Sequence, residues 1–124
     1  HWPAPKHVHA YTTLRQDGHS IAPYDSFNMG ALTQDNPEHV MANRTQLLQE
    51  LQLPAEPVWL KQEHGNTVLQ IDADIAFSTP PHADAAMTSL SHQVCVVLTA
   101  DCLPILICNE AGTKVAAIHA GWRG

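Results

Sequence analysis

Positive charge is scarce in this chain. Six Lys and Arg stand against twelve Asp and Glu among 124 residues, a net charge of −6 with histidine neutral. The basic residues form no run, which argues against bulk attraction to nucleic acid or to an anionic membrane. Long apolar stretches are missing too: none approaches the ~20 residues of a membrane span, and no secretory-signal pattern is visible. Cysteine is sparse and unpaired. Cys95, Cys102 and Cys108 make an odd number with no C-x-x-C pair, which argues against a disulfide scaffold and for a reducing, cytoplasmic compartment. Internal repeats, low-complexity segments and linkers are absent. The chain starts at His1 rather than Met, so its start reads as trimmed.

What is present is an ordinary globular composition, 44% hydrophobic and 15% charged, and a length that fits a single domain over 1–124. Residues 8–13 read as a short strand, Gln16-Asp17-Gly18-His19 as a turn, and 23–30 as irregular loop. Asp35-Asn36-Pro37-Glu38 reads as a helix start, with a capping side chain, Pro at the first helical position and an acid at the positive end of the dipole. The helix is expected to run to about Leu51 and to bury Val40, Leu47, Leu48 and Leu51. Residues 58–61 and 67–71 read as two strands joined by a Gly-Asn turn. Residues 85–88 give a weak strand. Then come 94–99, 105–108 and 115–118, the last two joined by a turn at 109–112 in which Gly112 is free to take positive φ. The near-continuous apolar character of these runs predicts a sheet covered on both faces. The expected fold is mixed α/β (α+β type), a buried β-sheet with flanking helices. One clear helix is thin cover, so the chain reads as part of a larger, incomplete domain.

Nine histidines are many for this length. His1, His7, His9, His19 and His39 lie in polar or proline-rich context and read as incidental. Three other residues sit beside Gly or Pro next to strand-like runs: His64 in Lys61-Gln62-Glu63-His64-Gly65, Cys102 in Ala100-Asp101-Cys102-Leu103-Pro104, and His119 in His119-Ala120-Gly121-Trp122-Arg123-Gly124. Loops at strand ends are where a scaffold displays chemistry. Two imidazoles and a thiolate suit Zn²⁺, and three protein ligands leave a position open, as in catalytic rather than structural zinc. Spacings of 38 and 17 residues are unlike a zinc finger. If 105–108 pairs with 115–118, His119 returns beside the strand start after Cys102. Composition alone would let His82 or His92 take the place of His64. Cys95 and Cys108 lie within strands and read as small buried hydrophobes.

The three motifs together strongly resemble the YfiH-like family, also called the laccase-domain or polyphenol-oxidase family. Further matches are Thr12-Thr13 followed by Gly18-His19-Ser20, the stretch Pro23-Tyr24-Asp25-Ser26-Phe27-Asn28-Met29-Gly30, Asn43-Arg44, and Ala83-Asp84-Ala85. The segment Ala31-Leu32-Thr33-Gln34-Asp35 departs from the family's usual His-Val-Gly-Asp type, and family members continue well past the final motif. The chain therefore resembles their N-terminal part, and the implied fold is a YfiH-like layered sandwich.

The resemblance implies His64, Cys102 and His119 as metal ligands. It implies zinc-dependent chemistry on purine nucleosides: phosphorolysis of adenosine, inosine or methylthioadenosine, and adenosine deamination. The expected small-molecule partners are thus a purine nucleoside and phosphate. Asp84 or Asp101 would orient a ligand histidine, and Arg44 or Arg123 would meet phosphate. Copper-dependent oxidation of phenols is the alternative; a multicopper enzyme needs clustered metals and more histidines than these motifs supply. A metal-free hydrolase with Cys102 as nucleophile and His119 as base is a third reading, and a fragment that holds metal without turnover is a fourth.

Overall fold

A computed structural model of the chain describes residues 2–74 and 76–123. His1 and Gly124, both named above, lie outside them. The chain divides into two compact units: the segment up to Ala10 together with Pro57 onward, and Tyr11–Glu56.

In the second unit, helix α1 (Pro37–Glu50) begins where the sequence predicts. The Asn36 side chain accepts the Glu38 N–H at 2.9 Å, Pro37 occupies the first turn, and Leu51 caps the far end. Its buried positions are Val40, Asn43 and Leu47, while Leu48 and Leu51 are half-buried. Asn43 is fully buried and organises the irregular chain before the helix. Its carbonyl accepts the His19 N–H at 2.7 Å. Its amide donates to Ser20 Oγ at 2.9 Å, Ser26 O at 3.2 Å and Asn28 O at 2.7 Å. One side-chain amide thus ties together residues 19, 20, 26 and 28. Residues 8–13, expected as a strand, form none. The turn at 16–19 is present, with the left-handed backbone at Asp17 (φ 65°).

The other unit is a mixed four-stranded sheet, β1 (Val68–Ile71), β2 (Ala85–Thr88), β3 (Leu103–Cys108) and β4 (Val115–Ala120), in the order β1-β2-β4-β3. The β3–β4 hairpin has the expected pairing, Ile105 opposite Ile118 and Cys108 opposite Val115. Its turn forms through Asn109: the backbone carbonyl accepts from Gly112 N–H at 2.9 Å, and the side chain accepts from Thr113 and Lys114 N–H. Gly112 has φ 67°. β2 pairs antiparallel with β4 and parallel with β1.

Two expectations fail here. Residues 58–61 and 67–71 are not a hairpin. They form one track running parallel to 82–88, with Lys61 opposite His82 and Val68 opposite Ala85. Seven residues part Lys61 from Val68 and three part their partners, so four extra residues loop outward, carrying His64. Residues 94–99 are not a strand either. They hold one bridge, Val58 to Cys95, and a side-chain fork: Gln62 donates to Leu98 O at 2.8 Å and accepts from Leu98 N–H at 2.7 Å.

One sheet face packs on this irregular chain. Val58, Leu60, Ile71, Ala83 and Ala86 are buried together, with Leu69, Cys95 and Val97 against them. No helix of this unit covers the sheet among the described residues. The other face is open along β3, where Leu103, Ile105 and Ile107 are 63%, 37% and 50% exposed, against the expectation of cover on both sides.

Replacing Asn43 by Ala would strand backbone groups of residues 19, 26 and 28. We expect Asn43→Ala to lower unfolding free energy by about 3 kcal/mol, measured by urea denaturation.

Candidate metal centre

Strand register builds the site. β4 carries His119 opposite Pro104 of β3, and Cys102 lies one residue before β3, on the same face by the two-residue period. Beyond the Ala85–Ile118 pair the ladder takes one further step: the His119 N–H donates to Asp84 O at 2.7 Å. The cross-strand neighbours His119 and Asp84 also meet through their side chains, with Nδ1 and Oδ1 2.8 Å apart. The outward loop supplies His64. Its ring sits edge-on to His119, with centroids 4.7 Å apart and planes at 82°. One ligand atom from each of His64, Cys102 and His119 lies within 4.8 Å of the others.

That clustering fits a metal ion. Tetrahedral zinc with bonds of ~2.0–2.3 Å separates its ligands by about 3.3–3.6 Å, a contraction that small side-chain rotations supply. The donor set is two imidazoles and a thiol, with His119 buried, Cys102 half-buried and His64 exposed. The exposed side gives access for an exogenous ligand. Gly121 lets the chain pass close by: a Cβ there would lie 3.3 Å from His64 Cδ2 and 3.8 Å from Cys102 Sγ.

Asp84 is 3% exposed. Besides its contact with the His119 ring, it accepts three successive backbone N–H groups of the outward loop, Glu63 at 3.1 Å, His64 at 2.8 Å and Gly65 at 2.9 Å. Such a row of amides forms a concave anion site, filled here by the chain's own carboxylate. Burial opposes the charge, but these donors outweigh it and hold the carboxyl at about 2. His64 has φ 58°, costing roughly 1–2 kcal/mol for a residue with a Cβ. Hydrogen bonds to a charged acceptor, about 1.5–3 kcal/mol each, exceed that cost.

The remaining candidates fall elsewhere. Asp101 is exposed, and the Cys102 thiol lies 3.8 Å from its carboxylate, within the same loop. Arg123 is exposed and lies 4.2 Å over the Trp122 ring. Arg44 belongs to the other unit, where its Nε and Nη2 donate to Met29 O at 3.0 and 2.8 Å. His82 pairs with Glu63, Nδ1 to Oε1, at 2.6 Å, and His92 is an exposed turn residue with φ 66°. Neither joins the trio. Burial pushes the Cys95 thiol up to about 11, which suits a packing role. The Glu63–His82 pair was not foreseen; its signal was the acid beside His64 together with a histidine two residues before Asp84.

For the metal-free protein we expect an acid signature. The Asp84 carboxyl is depressed below its ordinary ~4, so its stabilisation is full above pH ~4 and is lost as pH falls towards 2. Urea unfolding of Asp84→Ala should show a smaller fall in stability across that window than the parent does.

The chain matches the family model described as multi-copper polyphenol oxidoreductase laccase over residues 9–124. It is 51% identical over 123 residues to the Escherichia coli protein named purine nucleoside phosphorylase YfiH, and 47% identical to the Haemophilus influenzae purine nucleoside phosphorylase. The alignments take in 99% of this chain but 50% and 49% of those proteins, so the chain spans about half the length of these relatives. A Neisseria meningitidis crystal structure superposes with a TM-score of 0.89 at 44% identity, over all of this chain and 50% of that one. The YlmD structure from Geobacillus stearothermophilus gives 0.75 at 28%, over 89% of this chain and 44% of that one. With the fold, the motif positions and the family match in agreement, this chain belongs to the laccase-like, YfiH-type family.

Proposed function

We propose that this chain carries the zinc-binding centre of a purine nucleoside phosphorylase. The observation that carries the reading is the convergence of one donor atom each from His64, Cys102 and His119 within 4.8 Å. The names of relatives at 47–51% identity point to the same activity. In this reading the partners are a purine nucleoside and phosphate, and the three free cysteines fit a reducing, cytoplasmic setting.

Bound zinc would supply Lewis-acid polarisation of an oxygen held in the open position. The chain's own residues do the rest. His119, buried and tied to Asp84, is the rigid ligand. Cys102, one residue before β3, supplies the sulfur donor. His64, on the exposed loop, closes the set from the solvent side. Asp84 holds the His119 ring and the main chain at His64.

The family description names copper. Among the described residues, however, the trio is the one such donor group, and a multicopper oxidase needs several. Zinc chemistry requires no second group.

Elemental analysis of the purified protein should find zinc near one equivalent. Cys102→Ala should lose the metal and, with it, phosphate-dependent release of hypoxanthine from inosine. Full turnover by the zinc-free variant would sink the metal mechanism. Copper at stoichiometric level with oxygen uptake on phenols would favour the oxidoreductase, and inosine cleavage without phosphate would make the chain a hydrolase.

A further inference from the structure

The acceptor geometry at Asp84 has a specific division of labour. Oδ1 accepts the His64 backbone N–H at 2.8 Å and lies 2.8 Å from His119 Nδ1. Oδ2 accepts the Glu63 and Gly65 N–H groups, at 3.1 and 2.9 Å. A single oxygen therefore ties the main chain at one ligand to the side chain of the other. A carboxylate filled by three backbone donors has no proton of its own to give, so the fourth contact requires His119 to donate from Nδ1. That leaves the lone pair on His119 Nε2.

We propose that Asp84 is the positioning residue of this centre: it commits His119 to the Nδ1–H tautomer, presents Nε2 as the metal-binding atom, and sets His64 beside it before any metal arrives. The inference rests on the metal reading of the trio. It adds which nitrogen of His119 binds, what fixes it, and that the ligand array is built by the fold rather than by the ion.

An amide cannot take over this role despite its matching shape. Whichever way Asn is turned at position 84, its NH₂ faces two N–H donors, either the His64 N–H and His119 ring pair or the Glu63 and Gly65 pair. A carboxylate is the side chain that accepts on both sides.

Two measurements test the proposal. A long-range ¹H–¹⁵N spectrum of the metal-free parent should place the His119 proton on Nδ1; a proton on Nε2 would overturn the inference whatever the metal data say. Zinc titration in competition with a chromophoric chelator should then show affinity on the order of 10–100-fold weaker for Asp84→Asn than for the parent, with altered cobalt(II) ligand-field bands in the loaded variant. Equal affinity and unchanged bands in a folded Asp84→Asn would overturn the positioning role and leave the metal reading standing. A parent that takes up neither zinc nor cobalt would overturn the metal reading, and this inference with it. Should Asp84→Asn fail to fold, the spectrum of the parent alone decides. Inosine cleavage plays no part in either readout, so a failure of the phosphorylase reading is told apart from a failure here.

Discussion

One buried carboxylate holds two distant stretches of chain in register. Asp84 stands between the outward loop at 62–66 and the end of β4, and its side chain bonds to both. Its backbone works in the same place: the Asp84 N–H donates to Thr67 O at 3.0 Å, and its carbonyl accepts from His119 at 2.7 Å. Without the charge, three loop N–H groups would lose their acceptor and the left-handed turn at His64 would lose its compensation. The sheet could survive that loss, because its strands pair through other residues. The juxtaposition of the two histidines could not.

The rest of the centre follows from register. β4 lies between β2 and β3, so its end at His119 is fixed from both sides. Pro104 opposite His119 sets where β3 begins and hence where Cys102 stands. A slip of one residue in either pairing would turn His119 to the open face. Steric room comes from Gly121, whose missing Cβ faces both His64 and Cys102. The donors and their support thus arise from four separate stretches of chain: His119 and Asp84 are placed by main-chain pairing, Cys102 by the start of β3, and His64 by the Asp84 carboxylate.

What the sequence conveys about this arrangement depends on how local the determining interaction is. The β3–β4 hairpin is legible because its turn residues, Asn109 and Gly112, act within six positions of one another. Helix α1 is legible for the same reason, through Asn36 and Pro37. The segment 58–71 is misread because two apolar runs flanking a Gly look alike whether they pair with each other or with a common third strand. What decides is Asp84, some twenty residues downstream. Residues 94–99 have a strand's composition but find a glutamine side chain for a partner. Asn43 is legible as a motif residue but not as a buried one, because helical periodicity counts apolar positions, and here a buried polar residue shares that face with Val40 and Leu47. The three ligand candidates are visible as motifs, and their meeting point is visible only in part: Cys102 with His119 follows from the hairpin, while His64 arrives through a pairing that no local signal announces.

In the function proposed above, metal affinity and nucleoside turnover make separate demands on the chain. On the proposed reading the first rests on His64, Cys102, His119 and Asp84, all drawn from the unit that holds the sheet. The second also requires groups that meet phosphate and base. The two arginines suggested for phosphate are engaged otherwise, Arg44 on the Met29 carbonyl and Arg123 over Trp122. Meanwhile Leu103, Ile105 and Ile107 meet water from a strand whose composition suits burial on both sides. A site can therefore be complete in its first coordination sphere while the surfaces that would shape a substrate pocket are not. On that reading metal content tests the local fold around His64, Cys102 and His119, and turnover tests in addition the groups that meet phosphate and base.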